Sequence, residues 1–142
     1  MLLLTSEYAL RVMVFLARRP LGIPVLGSVL AKELSIPAQY LSKVLSALAR
    51  AGLLQSSRGH GGGYRLELDP RRIRLLDVVA IFEGDRLKSF CLLGAGLCNK
   101  KTPCVAHARW KRIQDARQSF LSETTIGDLS IQRARRKGAG VG

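Results

Sequence analysis

The three cysteines of the chain lie within one short glycine-containing segment, and a histidine follows the last of them. These residues are Cys91, Cys98, Cys104 and His107, in the spacing C-x6-C-x5-C-x2-H. An odd number of clustered cysteines is a poor framework for structural disulfides. Thiolates beside an imidazole instead favour a soft-metal site, either an iron–sulfur cluster (2Fe–2S or 4Fe–4S) or a zinc ion. We therefore predict a metal site in this segment.

Two other chemistries remain open for the same residues. A structural Cys3His zinc site would make the protein constitutive rather than a sensor, although the segment lacks the C-x2–4-C pair typical of zinc. A metal-free thiol switch would form a disulfide between Cys91 and Cys98 or between Cys98 and Cys104. The sequence predicts no catalytic residues, because it has neither a phosphate-binding glycine loop nor a Gly-x-Ser-x-Gly elbow.

The charge balance of the chain favours a polyanionic partner. The 142 residues include 23 Lys and Arg against 10 Asp and Glu, which gives a net charge of +13. Four of the surplus charges lie in the stretch Arg133–Lys137, and the others are spread over the preceding chain. A surplus of this kind attracts double-stranded DNA.

The hydropathy pattern argues against a membrane protein. No apolar run approaches the roughly 20 residues needed to span a bilayer. The opening Met1–Leu4 is followed at once by polar residues, so it does not resemble a signal peptide. We expect a cytoplasmic protein with no membrane partner, in a compartment where thiols stay reduced.

The elements that must position the functional residues begin with a helix-turn-helix pattern. We predict a first helix capped by Thr5 or Ser6 and ending near Arg19, a second over residues 27–34, and a third over residues 37–51. One stripe of aliphatic residues in the third helix is expected to be buried: Leu41, Val44, Leu45 and Leu48. Two helices joined by a short turn, the second amphipathic, are typical of DNA-binding proteins.

A two-stranded ribbon follows these helices. Residues 53–57 and 64–68 are predicted strands, and the turn between them, Arg58–Gly63, is basic and rich in glycine. Helix, turn, helix and ribbon together indicate a winged helix. We therefore predict a mostly α fold with a small β-wing, that is, a winged helix-turn-helix followed by a long C-terminal dimerisation helix.

The exposed face of the third helix is expected to enter the major groove of DNA. Gln39, Ser42 and Lys43 are its polar candidates, while Tyr40 either contacts a phosphate or is structural. Arg58 is expected to enter a narrowed minor groove, where negative potential is focused. Gly61 and Gly62 mainly shape the wing, although their backbone amides could approach phosphate. The predicted DNA-binding residues are Gln39, Tyr40, Ser42, Lys43, Arg58, Gly61 and Gly62.

The second half of the chain is predicted to contain a short helix over residues 73–82 and a long helix from Thr102-Pro103 to about Leu121. This start would put Cys104 one residue inside the long helix, with His107 on the same side. Four residues recur at nearly heptad spacing along this helix: Ala106, Trp110, Ile113 and Phe120. Such a seam packs either against its own domain or against a second chain.

These patterns divide the chain into five predicted parts. They are a winged helix-turn-helix DNA-binding domain (1–70), a connecting helix (71–90), a cysteine cluster-binding loop (91–104), a dimerisation helix with a terminal turn (103–129) and a basic disordered tail (130–142). The tail is expected to be disordered because apolar periodicity stops after Leu129.

Residues 1–130, taken as an ordered set, resemble the Rrf2 (Rrf-two) family of bacterial winged-helix regulators, which includes the IscR and NsrR types. The resemblance is carried by Glu7–Arg11 (EYALR), Ile36–Leu41 (IPAQYL), Ala51–Leu54 (AGLL), Arg58–Tyr64 (RGHGGGY), the cysteines with His107, and Thr124–Leu129 (TTIGDL). It implies a homodimer, paired through the long helix, that binds a roughly palindromic operator, with repression the expected mode. It also implies that an iron–sulfur cluster senses redox, nitric oxide or iron status.

The resemblance further implies roles for individual residues. Cys91, Cys98 and Cys104 would be cluster ligands, with His107 as the fourth. Glu7 is the alternative fourth ligand, supplied by the partner subunit. The bound cluster would order residues 91–104 and fix the two recognition helices relative to each other, and its loss would change operator affinity.

Overall fold

The computed structural model describes residues 2–88, 90–93, 96–97, 101 and 103–136, with side chains described as far as residue 131. The elements in chain order are α1 (Leu4–Ala17), α2 (Gly27–Leu34), α3 (Ala38–Arg50), β1 (Leu54–Ser57), β2 (Gly63–Leu66), a 3-10 turn (Pro70–Arg72), α4 (Leu75–Glu83), a second 3-10 turn (Gly84–Leu87), α5 (His107–Glu123) and α6 (Ile126–Arg136). The predicted fold class, mostly helical with a small β-wing, is confirmed. Within the described ranges no helix is both long and apolar enough to cross a membrane.

Helices α2 and α3 form the predicted helix-turn-helix. Helix α2 ends at Leu34 and is capped by Ser35, which adopts a left-handed conformation (φ 52°) and is followed by the buried Ile36. Pro37 takes the N-cap position of α3, because its fixed φ suits a helix start and it has no amide to satisfy. The predicted apolar stripe of α3 is confirmed: Leu41, Val44, Leu45 and Leu48 are all buried.

The wing is an antiparallel pair in which Leu54 faces Leu66 and Ser57 faces Gly63. It has an additional neighbour, because Val25, in the loop before α2, exchanges backbone hydrogen bonds with Tyr64 (2.9 and 2.8 Å). Gly63 makes this approach possible. It has a φ of +139°, and a Cβ there would lie 2.5 Å from the Val25 carbonyl carbon and oxygen. The wing is thus fixed to the helix-turn-helix through the backbone.

One hydrophobic core serves both halves of the chain. Helix α1 contributes Val12 and Met13, which are completely buried, and it contacts α3, α4, α6 and β2. Leu121 from α5 and Ile126 from α6 belong to the same buried cluster as the apolar stripe of α3. Helix α1 therefore joins the helix-turn-helix to the C-terminal helices within the described residues.

The predicted N-cap of the first helix is wrong. Helix α1 begins at Leu4 and ends at Ala17, with no side-chain cap, so Thr5 and Ser6 lie inside it. Ser6 is completely buried, and its hydroxyl donates to Glu83 Oε1 at 2.8 Å. A tertiary hydrogen bond therefore uses the group that the sequence pattern assigned to capping.

The predicted start of the long helix is also wrong. Helix α5 begins at His107, and Pro103 and Cys104 precede it; Thr102 lies outside the described residues. The His107 amide donates to the Cys104 carbonyl at 3.0 Å, which is a tight i to i−3 turn. The first helical bond joins the Trp110 amide to the Ala106 carbonyl (2.9 Å). Cys104 is consequently a residue of the preceding loop rather than of the helix.

The C-terminal stretch is more regular than predicted. Helix α6 continues to Arg136, whereas disorder was predicted from residue 130 onward. Its start is fixed by a reciprocal pair: the Thr125 amide donates to Asp128 Oδ2 (2.9 Å), and the Asp128 amide donates to Thr125 Oγ1 (3.1 Å). Residues 137–142 of the predicted tail lie outside the described residues.

A buried carboxylate joins the two ends of the core. The Glu83 side chain, 3% exposed, accepts hydrogen bonds at Oε1 from the Leu3 amide (2.6 Å) and the Ser6 hydroxyl (2.8 Å). Its Oε2 lies 3.4 Å from Arg86 Nε. Burial by itself raises the pKa of Glu83, but these hydrogen bonds and the Arg86 charge outweigh it, so the pKa lies below its ordinary value of 4.5.

Replacing this carboxylate is expected to destabilise the whole fold. Glu83→Ala should lower the free energy of unfolding by about 2–4 kcal/mol, because the Leu3 amide and the Ser6 hydroxyl lose a buried acceptor. Glu83→Gln keeps one acceptor oxygen and should cost less. Since the folded-state pKa is lowered, the contribution of Glu83 is present above about pH 4.5 and lost as the pH falls through the folded-state pKa.

Urea denaturation at neutral and acid pH would measure both effects. Asp85→Asn is the matched control, because Asp85 is 82% exposed in its pair with Lys88 and should leave the midpoint unchanged. A Glu83→Ala protein as stable as the unsubstituted chain at neutral pH would contradict the role assigned to this carboxylate.

Candidate nucleic-acid interface and metal-ligand segment

The exposed face of α3 carries the four residues predicted to contact DNA from this helix. Gln39, Tyr40, Ser42 and Lys43 are all exposed, while the opposite face of the helix forms part of the core. An amide, a hydroxyl and an ammonium on one convex helical surface can hydrogen-bond base edges and phosphates. The residue types and their placement therefore suit the major groove.

Tyr40 has a structural contact as well as an exposed surface. Its ring meets that of Tyr8 edge-on, with centroids 6.4 Å apart and planes at 62°. The Arg11 guanidinium lies 5.8 Å from the centre of the Tyr8 ring, and the same group donates to the Leu34 carbonyl. The first turns of α1 therefore contact both helices of the helix-turn-helix.

The wing tip presents Arg58 to solvent on a turn shaped by glycines. The Gly62 amide donates to the Gly59 carbonyl at 3.0 Å, and a Cβ at Gly62 would lie 2.5 Å from the Ser57 carbonyl oxygen. The amide of Gly62 is thus used within the turn, which favours a shaping role over phosphate contact. Gly61 is exposed and takes a φ of +75° at the tip.

Arg65 at the base of the wing is not among the residues predicted from the sequence. Its Nε donates to Gln55 Oε1 (2.8 Å) across the β1–β2 pair, and its guanidinium also reaches the Gly22 carbonyl (3.4 Å). Arg65 therefore fixes the wing to the loop before α2. The hairpin register places Gln55 opposite Arg65 and could have indicated this pair.

The start of the cysteine segment is held against α5. Phe90 pairs with Leu97 in an antiparallel bridge, and the Cys91 amide donates to the Gly96 carbonyl at 2.7 Å. The Phe90 carbonyl accepts two side-chain hydrogen bonds from α5, one from Trp110 Nε1 (2.7 Å) and one from Gln114 Nε2 (3.0 Å). The residue that precedes the first cysteine is therefore anchored to the long helix.

The described residues contain part of the predicted ligand set. Cys91 and Cys104 are half-buried, and His107 is half-buried at the start of α5. Cys98 lies outside the described residues, and Glu7 is exposed in the first turn of α1. Among residues that the structure describes, no three His, Cys, Asp or Glu side chains lie close enough together to hold a metal ion.

The chemistry of the donor set fits a soft metal nonetheless. Three thiolates and an imidazole within one segment match the ligands of iron–sulfur clusters and of zinc. The backbone hydrogen bond between His107 and Cys104 keeps these two donors adjacent at the end of the segment.

The predicted heptad seam of α5 divides between two surroundings. Trp110 packs inward through its bond to Phe90, and the buried residues of the helix are Gln114 and Leu121. Ile113 and Phe120 instead point to solvent, with 61% and 54% exposure. Other apolar side chains near the start of α5 are exposed as well: Leu92, Leu93, Leu97 and Val105. Leu92, Val105 and Ile113 line one groove, and exposed apolar side chains grouped in this way are typical of a protein–protein contact.

Comparisons with known proteins agree with this geometry. Residues 4–132 match the family model Rrf2, described as an iron-dependent transcriptional regulator. An HTH-type transcriptional regulator of Aquifex aeolicus is 34% identical over 128 residues, with 88% of each chain covered. The regulator IscR of Vibrio campbellii is 34% identical over 128 residues, covering 89% of this chain and 76% of the relative. The structure of CymR, the global cysteine regulator of B. subtilis, is similar with a TM-score of 0.77 and 28% identity, covering 92% of this chain and 95% of that one.

Proposed function

Because the chain belongs to the Rrf2 family of transcriptional regulators, we propose that it binds a DNA operator as a homodimer and represses transcription there. An iron–sulfur cluster would control its affinity for the operator. The observation that carries the proposal is the exposed polar face of α3 beside a basic wing, in a chain of net charge +13. The helices and wing belong to one core, so both reading elements are held in a fixed relation.

The reading surface suits both grooves of DNA. In the major groove, Gln39 can form a bidentate pair of hydrogen bonds with adenine. Lys43 can reach guanine or a phosphate, and the Ser42 hydroxyl can hydrogen-bond a base edge or a phosphate. Arg58 extends from the wing toward the minor groove, where a guanidinium is attracted by the narrowed phosphate walls. Tyr40 contacts Tyr8 and is half exposed, so its hydroxyl is a candidate for a phosphate contact with DNA.

The exposed apolar side chains of α5 support a homodimer. Ile113 and Phe120 leave an apolar surface that a second copy of the same helix can cover. Two copies related by a two-fold axis would present two α3 helices to half-sites of a roughly palindromic operator.

Cys91, Cys98, Cys104 and His107 are the residues that would hold the cluster, with Glu7 of the partner subunit as the alternative fourth ligand. When bound, an iron–sulfur cluster supplies a redox-active, oxidant- and nitric-oxide-sensitive group. The chain's own contribution is positional: the Phe90 carbonyl ties the first ligand to α5, and the His107–Cys104 turn ties the last two. Glu7 lies next to Tyr8, which contacts Tyr40 on the reading helix.

A thiol switch without metal is the second candidate. The structural similarity to CymR, which is named a global cysteine regulator, favours it. Three cysteines permit a disulfide within the segment, and zinc in a Cys3His site is the remaining alternative.

The wing arginine offers a direct test of DNA reading. Arg58→Ala should weaken operator binding by about 10-fold to 100-fold, since a groove contact and its charge are both lost. Fluorescence anisotropy with a labelled operator, at fixed salt, measures the change. Arg112→Ala, at an exposed position of α5, removes the same charge, and this variant should bind the operator nearly as well as the unsubstituted chain. Equal losses for the two variants would mean that Arg58 contributes only general charge.

Loss of one thiol tests the metal proposal. Cys98→Ala should abolish the visible absorbance and the bound iron and sulfide of anaerobically purified protein, because a three-thiolate set is broken. His60→Ala on the wing serves as a control and should retain them. A colourless unsubstituted protein containing zinc would support the Cys3His site, and one containing no metal would support the thiol switch.

A charge placed in the apolar surface of α5 tests the dimer. Ile113→Glu should shift the protein toward monomer, because the carboxylate would be desolvated in the contact. Analytical ultracentrifugation gives the dissociation constant, which is expected to rise at least tenfold. Gln118→Glu adds the same charge at an exposed polar position and should leave association unchanged. A dimer of unaltered affinity in the Ile113→Glu variant would place the contact elsewhere.

A further inference from the structure

A cavity of about 400 Å³ lies beside the cysteine segment, where the start of α1, the end of α4 and the middle of α5 meet. Its apolar wall is formed by Leu2, Leu87, Phe90 and Trp110. This volume falls in the range of small-molecule sites, which combine an apolar wall with a few convergent polar groups. The cavity is separate from the exposed face of α3 and from the wing.

The polar part of the cavity is mostly cationic. Arg86, Lys88 and Arg117 line it, with Glu83 as the single carboxylate among the described lining residues. Both Glu83 oxygens already have partners, in Leu3, Ser6 and Arg86. The Lys88 pair with Asp85 is exposed on both sides (58% and 82%) and holds the ammonium only weakly. The lining therefore keeps a positive charge that an anion would neutralise.

Arg117 has an unsatisfied donor at this place. Its Nε atom is buried, and within the described part of the chain it has no hydrogen-bond partner. A buried guanidinium N–H without an acceptor is unfavourable, and a planar carboxylate matches the fork of donors that the group presents.

We propose that this cavity binds a small organic carboxylate. The carboxylate would be held by Arg117 with Arg86 and Lys88 beside it, and its hydrocarbon body would contact Trp110, Phe90 and Leu87. The apolar wall favours an organic acid over inorganic phosphate, which has no apolar part to bury. The cavity lining contains none of the residues predicted to bind DNA or metal.

The single tryptophan of the chain provides the measurement, because Trp110 lines the cavity. The full-length protein is titrated with hexanoate while tryptophan fluorescence is recorded, with isothermal titration calorimetry as a second readout. We expect a saturable change with hexanoate and affinities at least tenfold weaker for 1-hexanol and for inorganic phosphate. Hexanol binding as tightly as hexanoate, phosphate binding as tightly, or no saturable response would each overturn the proposal.

Two variants locate the site. Arg117→Gln should weaken hexanoate binding at least tenfold, whereas Arg112→Gln, on the exposed side of the same helix, should not change it. Lys88→Gln, at an exposed position, should weaken binding by a smaller factor and avoids any loss of folding from a buried substitution. Equal affinity for the unsubstituted chain, Arg117→Gln and Lys88→Gln would overturn the assignment. Because the titration contains neither operator nor metal, its failure is distinguishable from failure of the regulatory proposal.

Discussion

The carboxylate of Glu83 is the contact on which the arrangement of the two halves depends. It accepts hydrogen bonds from the Leu3 amide and the Ser6 hydroxyl, which lie 80 and 77 residues away in the chain. A buried carboxylate is tolerated only when its oxygens are satisfied, so the start of α1 must stay against the end of α4. The position of α1 in turn decides where Glu7 and Tyr8 lie.

Helix α1 therefore links α3 to the end of α4. On one side Tyr8 contacts Tyr40 of α3, and on the other Leu3 and Ser6 bind Glu83 at the end of α4, which leads into the cysteine segment. Packed helices move as units rather than by continuous deformation, since interiors are close-packed. A change at the cysteine segment that displaced α1 would thus be transmitted to α3 through a ring contact.

The parts of the fold predicted from sequence are those fixed by local patterns. The spacing of Leu41, Val44, Leu45 and Leu48 defines one helical face wherever the helix lies, and the glycine-rich turn defines the hairpin. The helix starts were missed where a local signal competed with a tertiary one: Ser6 has the type of an N-cap but bonds Glu83. The spacing of Thr125 and Asp128, three residues apart, is a capping signal that predicts the start of α6.

The candidate sites were predicted unevenly for the same reason. Residue type and helical phase were enough to assign the exposed face of α3, because exposure there follows from burial of the opposite face. Predicting the Arg65–Gln55 pair requires the strand register. Predicting the two hydrogen bonds to the Phe90 carbonyl requires the positions of Trp110 and Gln114, which lie 20 and 24 residues further on. Contacts of this kind depend on tertiary placement, which a spacing rule does not contain.

The two hydrogen bonds that the Phe90 carbonyl accepts from α5 also join the proposed cavity to the cysteine segment. Phe90, Trp110 and Gln114 line the cavity, and the same three residues hold the backbone directly before Cys91. A ligand that contacts Trp110 therefore lies beside the hydrogen bond from Trp110 Nε1 to the Phe90 carbonyl and can change its strength. A ligand that weakens this hydrogen bond would loosen the cysteine segment. Because linkage is reciprocal, a group that orders the cysteine segment would change the ligand affinity of the cavity by the same factor. A ligand in the cavity and a group bound by the cysteine segment would in this way influence each other through the Phe90 backbone without sharing a binding site.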